Sequence, residues 1–121
     1  MNNYEFRLDL VTKYLTELEL SDDIRDYFHG RTILVTGGAG AIGNNLVTAL
    51  SNLVGEDGVI IVLDNLSAIK GNEPIDLPPL SNLMFVKGDV RSDIDLKRVF
   101  REKPTIVYHL AAFFANQNSV D

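Results

Sequence analysis

Apolar residues follow two different periods along this chain, and the switch between them marks its main boundary. From residue 4 to residue 20, Phe6, Leu10, Val11, Tyr14, Leu15 and Leu18 recur at spacings of three and four, which predicts an amphipathic helix with these residues on one side. Ser21-Asp22-Asp23 then offers side-chain oxygens to cap a second short helix ending near Phe28. Apolar stripes of this kind ordinarily cover a core or an interface, so residues 1–29 read as a helical N-terminal extension.

After Gly30 the pattern changes to short β-branched runs. Thr32-Ile33-Leu34-Val35-Thr36 and Val59-Ile60-Ile61-Val62-Leu63, the latter ending on Asp64, are of the type buried on both faces of a sheet. Between them Ile42, Leu46, Ala49, Leu50 and Leu53 keep helical spacing, and Gly55 and Gly58 mark the exit. Pro74, Pro78 and Pro79 deny residues 65–82 a long helix. Leu83-Met84-Phe85-Val86 predicts a third strand. Ser92 followed by Asp95 resembles a capping box for a helix bearing Ile94, Leu96, Val99 and Phe100, and residues 105–110 predict a fourth strand.

Strand–helix alternation implies parallel pairing with right-handed crossovers, and four such strands imply the order 3-2-1-4. The fold class is therefore α/β: residues 30–121 form the N-terminal half of a doubly wound parallel sheet, a Rossmann domain truncated after its fourth strand. That order leaves the nearly all-apolar fourth strand at an open edge, so the chain by itself is expected to associate with further copies, a homo-oligomer.

The candidate chemistry lies at the first strand–helix junction. Thr36-Gly37-Gly38-Ala39-Gly40-Ala41-Ile42-Gly43 places glycines at 37, 40 and 43, directly after a buried strand and at the start of a helix. Gly37 permits a tight turn, Gly40 lets backbone approach a pyrophosphate, and Gly43 allows close packing of helix on strand. The N–H groups around Ala41, Ile42 and Gly43 then face the phosphates with the positive end of the helix dipole. Asp64, at the end of the second strand, can accept hydrogen bonds from both hydroxyls of an adenosine ribose and would repel a 2′-phosphate, so NAD is expected rather than NADP. The alternative is that Asp64 and Asn65 only begin a turn.

Charge and composition narrow the remaining possibilities. A formal net charge of −6 over 121 residues argues against nucleic acid or an anionic membrane as partner, because both need clustered Lys and Arg. The absence of cysteine removes disulfides and thiolate metal sites, and no metal is expected. Acidic residues interrupt the N-terminus and no apolar run reaches the roughly 18 residues of a membrane span, so a cytoplasmic location is expected.

The spacing Gly-x-x-Gly-x-x-Gly resembles that of the extended short-chain dehydrogenases/reductases, the NAD-dependent epimerase/dehydratase family, which act on nucleotide sugars. Three further segments agree: Asp64-Asn65-Leu66-Ser67 is similar to the family's ribose-binding segment, Gly88-Asp89-Val90-Arg91 to its adenine-binding segment, and His109-Leu110-Ala111-Ala112 to the segment lining the nicotinamide. The resemblance implies that Asn65 and Ser67 join Asp64 at the ribose. Asp89 would bond the adenine amino group, the Val90 backbone a ring nitrogen, and Leu110, Ala111 and Ala112 would hold backbone close to the cofactor. Read without it, Gly88-Asp89 is a turn and His109 a packed, hydrogen-bonded strand residue with no catalytic role. Ala41 and Asn44 stand where many sugar epimerases have an aromatic residue and a serine.

In that family a tyrosine and a lysine four residues later handle the proton of the sugar hydroxyl. Tyr4, Tyr14, Tyr27 and Tyr108 are followed at that distance by Leu8, Leu18, Arg31 and Ala112, so no catalytic residue is assigned in this chain, which by itself is expected to be inactive. The resemblance implies the NAD-binding portion of an epimerase or dehydratase working by transient hydride transfer at a sugar carbon. A reductase or hydroxysteroid-type dehydrogenase of the same family, or a non-catalytic NAD-binding module, are the alternatives. Gly40→Val is expected to abolish dinucleotide binding in a chain that still folds, because a branched side chain fills the space where backbone and pyrophosphate meet. Calorimetric titration with NAD, beside a circular dichroism spectrum, checks both halves of that statement.

Overall fold

A computed structural model describes residues 3–17, 21–39, 41–66, 77 and 80–111. The elements run α1 (Asn3–Glu17), α2 (Asp22–Phe28), β1 (Thr32–Thr36), α3 (Ala41–Val54), β2 (Val59–Asp64), β3 (Leu83–Lys87), α4 (Asp93–Phe100) and β4 (Ile106–His109). The four strands form one parallel sheet in the order β3-β2-β1-β4, as the alternation of strands and helices predicts. Most of the segment between β2 and β3 lies outside the described residues; Leu77 within it packs on the core.

Alternation along β1 and β2 explains why both runs are apolar throughout. Ile33, Val35, Ile60 and Val62 face α3 and meet its Val47, Leu50 and Val54, all buried. Leu34, Ile61 and Leu63 face the other way and join Val86 of β3 and Val99 of α4. A strand with a helix on each face has no polar side to show, which is the usual condition of a parallel sheet. β4 is shorter than residues 105–110, yet Thr105 N donates to Thr32 O at 2.9 Å and Leu110 N to Thr36 O at 2.9 Å, so pairing extends past both ends. Among the described residues β4 is an edge, and Val107 is 46% exposed.

Two local expectations need correction. In α1 the predicted residues do not share one side: Leu15 is buried and Val11 half-buried, while Phe6, Leu10 and Tyr14 are exposed. The helix carries two apolar stripes, and it is the Leu8–Val11–Leu15 stripe, stepping by three and four, that lies toward α3. Around α4, Ser92 Oγ accepts from Asp95 N at 3.3 Å, as a capping residue should, but the Asp95 carboxylate does not return to Ser92 N. Asp95 Oδ2 accepts from Asp89 N at 2.9 Å instead, while Ser92 N donates to Asp89 O. Half of a capping box is formed, and the other half anchors the loop before the helix.

The last turn of α3 is tied to the start of β3 by one side chain. Asn82 Nδ2 donates to the carbonyls of Ser51 and Gly55, each at 3.0 Å, and Ser51 Oγ donates to Asn82 Oδ1 at 2.5 Å. Each carbonyl also accepts a backbone N–H, Ser51 O from Gly55 N and Gly55 O from Gly58 N, both at 3.2 Å, so Asn82 adds a second donor at the exit of the helix. Asn82→Ala is expected to destabilise the fold by about 1–3 kcal/mol, the net worth of the three hydrogen bonds it removes between α3 and β3. Denaturant unfolding of the variant beside the parent chain measures it.

Candidate functional site

The register brings the carboxyl ends of all four strands to one edge of the sheet: Thr36 lies opposite Leu63 on one side and His109 on the other, and Asp64 lies opposite Lys87. In an open α/β sheet this is the edge that receives ligands, at the point where the strand order reverses between β1 and β4. Each predicted site residue that the structure describes stands along it. Gly40, Ser67 and Ala112 lie outside the described residues, as does the side chain of Ala41.

Gly37 leaves β1 with φ +76°, a left-handed conformation in which a side chain is strained. Its own geometry adds a second demand, since a Cβ there would stand 2.8 Å from Ala111 N and 2.9 Å from Leu110 C. The turn therefore presses directly on the chain leaving β4. Gly43, in the first turn of α3, would meet Gly37 O at 2.5 Å and Gly38 Cα at 2.6 Å if it carried a Cβ. Its closeness packs the helix against its own approach loop rather than against a strand side chain. Ile42 is exposed beside it.

Asp64 works on both sides of the crevice. Its Oδ2 accepts from Ala39 N at 3.0 Å, inside the glycine loop, and its Oδ1 from Leu66 N at 2.7 Å. The second bond is the turn expected of an Asp-Asn pair, and it holds Leu66 at φ +63°, which is uncommon for a leucine. The first was not legible: it links residues 25 apart, and only the tertiary arrangement brings them together. A carboxylate has about four acceptor positions, so the two backbone bonds leave capacity for a diol.

Beyond β3, Gly88 N donates to Asp64 O at 3.1 Å, which sets the Asp89 loop beside the Asp64 turn. Asp89 accepts from Arg91 Nε at 3.0 Å, Arg91 Nη2 at 2.7 Å and Arg91 N at 2.8 Å. The Arg91 side-chain hydrogen bonds, chiefly, and then its backbone bond hold the Asp89 carboxyl well below the usual carboxylate range; burial opposes them less strongly, and the Arg91 charge and a bond from the Asn65 side chain add smaller contributions in the same downward direction. With the folded-state value depressed, the stabilisation from this pairing is present above the ordinary carboxylate range and is lost only as pH falls through the lowered value. Val90 is half-buried and packs against the Leu34, Ile61 and Leu63 side of the core.

At the β4 end, Thr36 Oγ1 lies 2.6 Å from His109 Nδ1 and accepts from Ala111 N at 3.2 Å. His109 is hydrogen-bonded as expected but exposed rather than packed, because β4 has no neighbour on that side among the described residues. Thr36, Asp95 and Arg91 were not singled out as site residues. Ser92-x-x-Asp95 gave the position of Asp95 but not its partner, and for Thr36 only its place at the end of β1 hinted at a role.

The sequence profile of the NAD dependent epimerase/dehydratase family matches residues 33–121, a span that includes all four strands' carboxyl ends. The chain belongs to this family. A curated CDP-paratose 2-epimerase of Salmonella typhi is 39% identical over 92 residues, covering 74% of this chain and 26% of that enzyme. Among solved structures, epimerase Mth375 of Methanothermobacter thermautotrophicus matches with a TM-score of 0.70 and 47% identity over 82% of this chain and 28% of its own. The Bordetella bronchiseptica enzyme WbmF, solved in complex with NAD+ and UDP, matches with a TM-score of 0.63 and 29% identity over 78% of this chain and 26% of its own. The chain thus spans about a quarter of the length of these epimerase/dehydratase relatives.

Gly37→Ala tests the turn independently of any ligand. The left-handed conformation alone costs an L-residue about 1–2 kcal/mol, and the approach to Ala111 N adds to it. The variant is expected to unfold at lower denaturant than a Gly30→Ala control, whose added Cβ meets nothing within 4 Å although its φ is also positive.

Proposed function

We propose that this chain holds NAD as the cofactor-binding portion of an epimerase or dehydratase of nucleotide sugars. The observation that carries the reading is the Asp64 carboxylate bonded to Ala39 N, which sets the acid ending β2 directly against the glycine loop ending β1. A dinucleotide needs those two features side by side, one for its pyrophosphate and one for the ribose next to it. The family and the NAD+ and UDP complex of WbmF support the same reading.

The residues divide the work by position. Gly37, Gly40, Ala41, Ile42 and Gly43 take the pyrophosphate at the α3 N-terminus, and Gly37 and Gly43 stand where a Cβ would collide with Ala111 and with the loop itself. Asp64, with Ser67 after it, receives the adenosine ribose, and Asn65, expected there too, has its side chain on Asp89 and so links the ribose turn to the adenine loop. Asp89 takes the adenine amino group and Val90 N a ring nitrogen. Leu110, Ala111 and Ala112 back the nicotinamide end, where Thr36 holds Ala111 N in place. Bound NAD supplies a hydride acceptor that can return the hydride to the oxidised sugar carbon. The chain's own part is to orient the dinucleotide and keep the phosphates and ribose in fixed positions.

Asp64 also sets the choice of dinucleotide, because a carboxylate already engaged with two backbone N–H groups cannot swing away from a 2′-phosphate. NAD is expected to bind and NADP to bind far more weakly. Asp64→Asn should narrow the difference, and Asp64→Ala should weaken NAD by about 1–3 kcal/mol, the worth of hydrogen bonds to a charged group. Calorimetric titration with both dinucleotides provides the measurement; equal affinity for the two in the parent chain would falsify the assignment of Asp64 to the ribose.

A further inference from the structure

Arg91 has an unusual grip on Asp89. Guanidinium Nε and Nη2 reach the two carboxylate oxygens at 3.0 and 2.7 Å while the Arg91 backbone N–H reaches Oδ1 at 2.8 Å. The Arg91 side chain is 84% exposed, and an ion pair so open to water contributes little to stability. Three donors from one residue do, however, fix the orientation of the carboxylate. They also count against its capacity: of about four acceptor positions, both on Oδ1 and one on Oδ2 are taken. One acceptor position remains beside the three Arg91 bonds. Asn65 also hydrogen-bonds this carboxylate, so an incoming amino group competes with a neutral amide rather than with the guanidinium, whose charged bonds are the stronger.

We propose that Arg91 is a specificity-determining residue of the nucleotide site: by holding Asp89 as a fixed, acceptor-only group, it makes the site accept a 6-aminopurine and refuse a 6-oxopurine. The inference rests on the NAD reading above and names the base that reading requires. A 6-amino group donates to Asp89 Oδ2. A 6-oxo group at the same place sets oxygen against oxygen, and only a rotated or protonated Asp89 could relieve it. Arg91 prevents the first by its side-on geometry, and the second is closed near neutral pH to any carboxylate of ordinary pKa. Asp95 secures the arrangement from behind through its bond to Asp89 N.

The test is a calorimetric comparison of NAD with nicotinamide hypoxanthine dinucleotide, which carries an oxo group for the amino group and an N–H donor in place of the ring N1 acceptor, the second change bearing alike on all three chains compared, the parent, Arg91→Met and Arg91→Lys. The parent chain is expected to prefer NAD by about tenfold or more, as loss of one well-made hydrogen bond implies. In Arg91→Met the affinity for NAD should fall about fivefold and that for the hypoxanthine dinucleotide should hold, shrinking the preference at least about threefold. Arg91→Lys, which keeps a charge without the fork, should lie between them. Equal loss for both dinucleotides would mean that Arg91 only supports the loop, and an unchanged preference would mean that Asp89 needs no help; either outcome overturns the proposal. A folded parent chain that takes neither dinucleotide overturns the NAD reading itself.

Discussion

The hydrogen bonds made by Asp64 hold the working edge of this protein together. Its side chain joins the glycine loop to the turn after β2, and its carbonyl accepts from Gly88 N at the exit of β3. Three loops that leave three different strands are thereby set by one residue. Because the donors are all backbone N–H groups, the arrangement depends little on which side chains the loops carry. It depends on the carboxylate and on the strand register that delivers it.

On the other side of β1 a hydroxyl takes the corresponding part. Thr36 bridges to His109 and Ala111, and Gly37 comes so near Ala111 that no side chain fits between them. The two halves of the edge are thus built by different chemistry: a charged acceptor facing N–H groups toward β2 and β3, and a neutral contact of backbone on backbone toward β4. A ligand spanning the edge would meet a polar, hydrogen-bonding end and a close-fitting end, which suits a dinucleotide whose adenosine is gripped and whose other ring must reach a substrate.

Much of this is legible in the sequence alone. β1 and β2 were visible because a strand covered on both faces has no polar positions to blur it, and the strand order followed from the parallel connections. The glycine loop and Asp64 were legible from spacing and position. The adenine segment was readable only through resemblance, since Gly88-Asp89 by composition is an ordinary turn. What escaped were contacts with no sequence period: Ala39 to Asp64, Asp95 to Asp89, Thr36 to Ala111. The misreading of α1 has a plain cause. Apolar residues at 6, 10 and 14 and at 8, 11 and 15 both satisfy helical spacing, and only the location of α3 decides which stripe is covered.

The two halves of the edge also differ in chain entropy. The contact from Ala39 to Asp64 spans 25 residues, whereas that from Thr36 to His109 spans 73. For a flexible chain, closing the longer loop costs about 1 kcal/mol more, by the logarithmic dependence on length. Among the described residues β2 recovers its cost from strands on both flanks and β4 from one. The Asp64 side of the edge is therefore assembled from short-range contacts with support from both flanks, and the Thr36–His109 side rests on the pairing that is entropically dearest and, among the described residues, least reinforced.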